Sequence, residues 1–194
     1  MPAPGTYRID ADRSELRVLV YRSGSLAHLG HNHVLVNRSL SGSVLVGDGL
    51  PTSSFSFSAP VNKFVVDDAD ARREEGGDFP GEVPADAKAG TLHNMLGASQ
   101  FNAAQYPELA VKSMRIELVQ GAPTATLAVS VAGHDSTLTA QFALAGEAGQ
   151  LTATGSFEVR QSALGITPYS LLGGALQVQD ALLLKIKIVA SWEP

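Results

Sequence analysis

Cysteine is absent from this 194-residue chain. Thiolate zinc sites, iron–sulfur clusters and thiol catalysis are thereby excluded, and no disulfide framework is available. A chain of this length buries roughly 70% of its unfolded surface, so folding needs no such staple. Positive charge is also scarce, with 14 basic against 19 acidic side chains and a net charge of -5. The densest basic pair, Arg72-Arg73, is followed at once by Glu74-Glu75. Nucleic-acid binding requires a basic stripe that displaces counterions, and none is present. Anionic membrane surfaces are disfavoured for the same reason. No apolar run approaches the ~20 residues of a membrane-spanning helix, so an integral membrane protein is not expected. The catalytic signatures Gly-x-Ser-x-Gly, Ser-x-x-Lys, the Walker phosphate loop and His-Glu-x-x-His are missing too. Met1–Gly5 lacks the basic start and apolar stretch of a signal peptide. Two locations follow as expectations: periplasmic or secreted with the signal peptide absent from this chain, or cytoplasmic.

What the chain does have is alternation. Leu16, Val18 and Val20 share one face of a strand, as do Phe55, Phe57, Ala59 and Val61. The same period runs through Leu127, Val129 and Val131, through Leu138, Ala140, Phe142 and Leu144, and through Leu151, Ala153, Gly155, Phe157 and Val159. The last strand carries Leu182, Leu184, Ile186, Ile188 and Ala190, with Lys185 and Lys187 on the opposite face. Such a pattern marks half-buried antiparallel strands. Gly47-Asp48-Gly49, Gly121-Ala122-Pro123, Gly133-His134-Asp135 and Gly146–Gly149 punctuate them as short turns. An up-and-down series of about eight strands predicts an all-β fold, an extended antiparallel β-barrel that leaves no exposed edge. Residues 6–192 read as a single domain.

Residues 67–107 break the rhythm and predict short helices inserted into the barrel. Asp67 to Glu75 has the carboxylates of a helix start, and Leu92, Met95 and Leu96 share one helix face. Pro80 and Pro84 make the stretch between them irregular. This insertion is placed to cap one barrel end. The neighbouring carboxylates Asp67-Asp68 and Glu74-Glu75 read as a solvated helix face, because sequence neighbours point apart.

Two candidate sites emerge. The first is the barrel interior, with Phe57, Leu127, Val129, Leu138, Phe142, Phe157 and Ile186 as candidate ligand-lining residues. Small inward residues such as Ala59, Ala140, Ala153 and Gly155 either leave volume for a chain-like lipid or pack against the aromatics of a filled core. The second is His28-Leu29-Gly30-His31-Asn32-His33. On a strand, His31 and His33 point to one side about 7 Å apart, and His28 joins from a turn permitted by Gly30. The cluster reads either as a metal site for a transition metal such as copper, nickel or zinc, or as a hydrogen-bonded corner that shapes the fold. The second reading expects buried imidazoles bonded at both nitrogens. His93 and His134 read as surface residues.

Several segments resemble one family. Tyr7-Arg8-Ile9-Asp10 with Ser14, Asn102–Leu109 with its Tyr106-Pro107, Arg160–Ile166, and Gln179-Asp180 before the last strand are similar, in order and spacing, to the YceI-like domain family. Gly30-His31-Asn32-His33 resembles a subgroup with Gly-His-Asp/Asn-His after the first strand. The Arg-Asp-x-His-Leu segment of simpler members is replaced here by the insertion from Asp67 to Met95. The resemblance implies a lipocalin-like barrel and non-enzymatic binding or transport of a long apolar ligand, a polyisoprenoid or other lipid, commonly in the bacterial periplasm. It implies no cofactor. Metal binding at His28, His31 and His33 stands as the alternative, and homodimerisation is left open.

Overall fold

A computed structural model describes residues 2–147 and 149–193. Met1, Pro194 and Ala148, the last inside the expected turn at 146–149, lie outside the described residues. The chain runs β1 (Gly5–Ile9), β2 (Glu15–Val20), β3 (Arg22–Ser23), β4 (His33–Asn37), β5 (Ser41–Val46), β6 (Ser54–Pro60) and β7 (Val65–Val66). Two helices follow, α1 (Ala69–Glu75) and α2 (Ala85–Leu96). The remainder is β8 (Glu108–Val119), β9 (Ala122–Val131), β10 (His134–Gln141), β11 (Ala143–Glu147), β12 (Gln150–Arg160), β13 (Ser170–Leu171), β14 (Leu176–Val178) and β15 (Ala181–Trp192).

Several of these segments are one strand interrupted. Short 3-10 turns at Ala11–Arg13 and Val61–Lys63 separate β1 from β2 and β6 from β7, and short breaks separate β4 from β5 and β10 from β11. Joining across the breaks gives eight long courses, as the alternation predicts. Every ladder between them is antiparallel. Two hairpins show why the sequence turns where it does. Val119 faces Ala122 across Gln120-Gly121, with φ of 52° and 81°. Val131 faces His134 across Ala132-Gly133, with φ of 52° and 80°. Two consecutive positive φ angles match the twist of the flanking strands, and glycine adopts one of them without strain.

The hydrogen-bonded sheet is not closed, where the sequence expectation is a barrel without edges. β10 pairs with β9 and β11 pairs with β12, and among the described residues no ladder joins β10 to β12. The cause is a change of neighbour at Phe142, whose N–H donates to Pro123 O at 3.0 Å as the chain crosses between partners.

The core follows the faces. Inward residues of the courses form the main apolar cluster, including Tyr7, Leu16, Val18, Leu35, Ile116, Leu127 and Leu151. A second, smaller cluster lies on the outside of β2 and β4, where Leu19, Val34 and Val36 pack under Ala71 of α1 and Phe79. β4 is therefore buried on both faces, which is why Val34-Leu35-Val36 is continuously apolar instead of alternating. The insertion thus covers an outer face as well as one end of the sheet. A separate three-stranded sheet, β13-β14-β3, lies beside that same end.

Candidate functional site

The curled sheet is hollow. A cavity of about 480 Å³ runs along its interior, within the ~300–1,000 Å³ usual for small-ligand sites. All seven sequence candidates, Phe57, Leu127, Val129, Leu138, Phe142, Phe157 and Ile186, lie on its wall. So do Ala140, Ala153 and Gly155, whose small size leaves the lumen open.

Register orders the cavity from end to end. At one end, where β5 finishes and β12 begins, the wall is mostly apolar, Pro2, Val46, Leu144 and Leu151, with Ser53 among them. At the other, β2 ends and β15 begins, with Val20 opposite His33 and Leu19 opposite Leu183. There the wall changes character. Arg22 and His31 come from the segment after β2, His33 from the first residue of β4, Thr91 and Asn94 from α2, and Gln100 from the turn that follows.

The histidine cluster divides. His28 sits exposed in the 3-10 turn Ala27–Leu29 and is not on the cavity wall. His31 is an exposed rim residue outside any strand, which corrects the expectation that it enters the second strand with His33. The two rings lie 6.2 Å apart, centroid to centroid. Gly30 does not make a sharp turn, since its φ of -107° and ψ of -175° are extended backbone. What its missing Cβ accommodates is Leu176, whose Cδ1 would lie 3.0 Å from such an atom. Asn32 is structural: its Oδ1 accepts from Arg22 N–H at 3.0 Å and its Nδ2 donates to Asp78 O at 2.9 Å. Among the described residues no group of three or more histidines and carboxylates is arranged to hold a metal, so the geometry does not assemble the alternative metal site.

His33 is tied down by residues far away in sequence. Its Nδ1 lies 2.7 Å from Asp67 Oδ2, and its Nε2 lies 3.4 Å from Thr91 Oγ1. Asp67 is fully buried, at a φ of 54°, and its Oδ1 accepts from Val34 N–H at 2.9 Å and from Arg72 Nη1 at 2.6 Å. Burial alone would raise the Asp67 pKa. The contacts from His33, Val34 and Arg72 outweigh it and hold the carboxyl below its ordinary value. Arg72 is itself buried and donates further to Asn32 O at 2.8 Å, Pro80 O at 3.2 Å and Gly81 O at 3.3 Å. One guanidinium thus fastens the insertion to the head of β4.

A second ionic cluster holds α1 to the outer face. Glu75, with its side chain only 6% exposed, bonds Arg17 at 2.8 Å and also pairs with Lys185 of β15. Arg17 meets Glu74 at 2.9 Å and Glu15 at 2.6 Å. Burial opposes ionisation of Glu75, yet Lys185 and Arg17 keep its pKa below the ordinary value. Burial would lower Arg17, and the three carboxylates raise it instead. The reading of Asp67-Asp68 and Glu74-Glu75 as a solvated face is therefore corrected. Asp68 caps α1, accepting from Ala71 N–H at 3.0 Å, and Glu74 is exposed. Asp67 points inward to the buried Arg72, and Glu75 to Arg17 and Lys185 on the sheet. Sequence reasoning missed Asp67, Arg72, Arg22, Thr91 and Gln100 because no local pattern links positions 33, 67 and 91.

The YceI-like domain profile matches residues 7–190. The chain belongs to the YceI-like domain family. Family likeness in structure is broad and sequence likeness is low. Burkholderia cenocepacia BcnA superposes with a TM-score of 0.69 at 16% identity, covering 94% of this chain and 99% of that one. The YceI protein of Campylobacter jejuni, known for crystallising with large solvent channels, superposes with a TM-score of 0.57 at 11% identity over 81% of this chain and 84% of that one. No curated protein matches the chain. Residues that carry the YceI-like sequence resemblance sit at joints of the fold. Ser14 Oγ accepts from Val189 N–H at 3.0 Å and lies 3.2 Å from Val189 O. The Asp180 carboxylate accepts from Ser162 N–H at 2.8 Å and from its hydroxyl at 2.6 Å. The first pair joins the start of β2 to the later part of β15, and the second joins the start of β15 to the end of β12.

Proposed function

We propose that this protein binds and carries a single long apolar chain, a polyisoprenoid or another lipid, and performs no chemistry on it. The observation that supports this reading is the hollow interior, about 480 Å³, with an aliphatic and aromatic wall contributed by courses from β2 to β15. Each methylene buried contributes ~0.8 kcal/mol, so a long chain binds without a polar anchor. Along the tube from Leu16 through Phe142 to Phe157 the wall offers aliphatic and aromatic surface to a guest rather than a nucleophile and its base. Membership of the YceI-like family and the likeness to BcnA agree with a fold built around such an interior. Among the described residues no helix is long and apolar enough to cross a membrane.

Native mass spectrometry and organic extraction of the purified protein test the proposal. A copurifying long-chain lipid, or saturable uptake of a fluorescent alkyl probe at one site per chain, is expected. Absence of both would sink it.

A further inference from the structure

Resting on that carrier reading, we infer that the polar end of the cavity is a subsite for a hydroxyl head, so that the preferred cargo is a long-chain alcohol and not a bare hydrocarbon or an acid. The argument starts from Asp67. Its Oδ1 is occupied by Arg72 and the Val34 N–H, which leaves Oδ2 to the ring of His33. An ionised carboxylate only accepts hydrogen bonds. The 2.7 Å contact from Asp67 Oδ2 therefore places the proton of the neutral imidazole on Nδ1. Nε2 is left as a lone-pair acceptor on the cavity wall.

The opposing group is a donor. Thr91 Oγ1 lies 3.4 Å from Nε2, a long contact that leaves both atoms open to a better partner. One hydroxyl satisfies both, donating to His33 Nε2 and accepting from Thr91. An ether or a ketone accepts but cannot donate, and an alkane does neither. A carboxylate would set its charge against a lone pair at Nε2, and the Arg22 guanidinium at the same end already donates to Gly30 O. Asn94 and Gln100 line the same end and offer amides to the second lone pair of the head. The tail then runs the length of the apolar tube towards Leu151.

The test is competition against a fluorescent alkyl probe by four guests of equal chain length: 1-hexadecanol, hexadecyl methyl ether, hexadecanoate and hexadecane. The alcohol is expected to bind about five- to tenfold tighter than the ether and the alkane, the worth of one buried hydrogen-bonded pair. His33→Ala is expected to bring that ratio to about one while the alkane keeps its affinity within about twofold. Because His33→Ala also strips a partner from Asp67, Thr91→Val serves as the second variant. It leaves the Asp67–His33 contact in place and should reduce the preference for the alcohol about two- to threefold. Equal binding of alcohol, ether and alkane to the wild type overturns the subsite, as does tighter binding of hexadecanoate. A ratio unchanged in both variants overturns it too. Failure of hexadecane and the alcohol alike overturns the carrier reading, and the subsite with it.

Discussion

The tube and the start of the insertion are held by different means. The tube is a wall of alternating side chains whose inner face is almost wholly apolar, and its interior is left unfilled. The insertion at residues 67–107 packs Ala71 and Phe79 against β2 and β4, and sets Leu92, Met95, Leu96 and Phe101 against the main cluster. Its start and α1 are fastened by charge as well: the buried pair Asp67–Arg72, and Glu75 to Arg17 and to the partly exposed Lys185. Burial of apolar area is non-directional and tolerates a hollow centre. Ion pairs are directional, and they fix His33 and α1 beside β4. The contrast predicts that the insertion fails through single residues while the tube fails only gradually.

The sharpest way to break this comparison is Arg72→Ala. Removing one partner of a buried pair leaves the other charge uncompensated and costs roughly 3–5 kcal/mol. The Asn32, Pro80 and Gly81 carbonyls lose their donor as well. Denaturant titration should show the loss in the midpoint, and a change below ~1 kcal/mol would mean that the insertion is held by packing after all. The same cluster sets an acid limb. The folded-state pKa values of Asp67 and Glu75 both lie below their ordinary ones. Their contribution is complete above the unfolded value near pH 4 and drains away as pH falls through the folded values. Asp67→Asn should lower stability at neutral pH and flatten that limb. A limb of unchanged slope in thermal melts between pH 5 and 2 would place the acid-sensitive groups elsewhere.

How much of this was legible differs by region for a physical reason. A two-residue period acts within one strand, so Leu127, Val129, Leu138 and Phe157 declare their face without knowledge of any partner, and all four reach the cavity wall. Turn glycines act within four residues, so Gly121 and Gly133 declare the hairpins. Asp67 declares nothing. A carboxylate at a helix start is usually solvated, and only the pairing of Leu35 with Val66 across β4 and β7 brings it to His33. Closure was misjudged because the change of neighbour at Phe142 leaves the alternation from Leu138 to Leu144 intact. Whether small wall residues leave a void depends on what lies across the lumen, and that is a tertiary fact.

Filling the void sharpens the comparison from the other side. Ala153 faces the cavity from β12 and lies on its wall. Ala153→Phe should cut the affinity for an alkyl probe at least about tenfold, equivalent to ~1.4 kcal/mol. In a close-packed core such an addition costs typically 1–3 kcal/mol of stability. In a hollow one the new ring enters empty space, and the melting temperature should stay nearly unchanged or rise. Unchanged probe binding with a large loss of stability would show that this part of the interior is packed.

The smallest effect belongs to a charge on the tube's own surface. Arg8 of β1 bonds Glu193 at 2.7 Å, a pair closer in sequence to the YceI-like signature than Arg72 is, yet its side chains are 70% and 44% exposed. Both ions keep most of their water, so desolvation makes neither dependent on the other, and salt screens what attraction remains. Around Arg8, β1 is held by ladders to β5 on one side and β15 on the other, and these do not use the guanidinium. Arg8→Ala should therefore change stability by less than ~0.5 kcal/mol and leave probe binding as it is. Arg72→Ala, measured beside it under the same buffer and salt, supplies the scale. Two arginine deletions of similar size would mean that burial does not separate the two regions, and the contrast between a wall held by area and an insertion held by charge would be wrong.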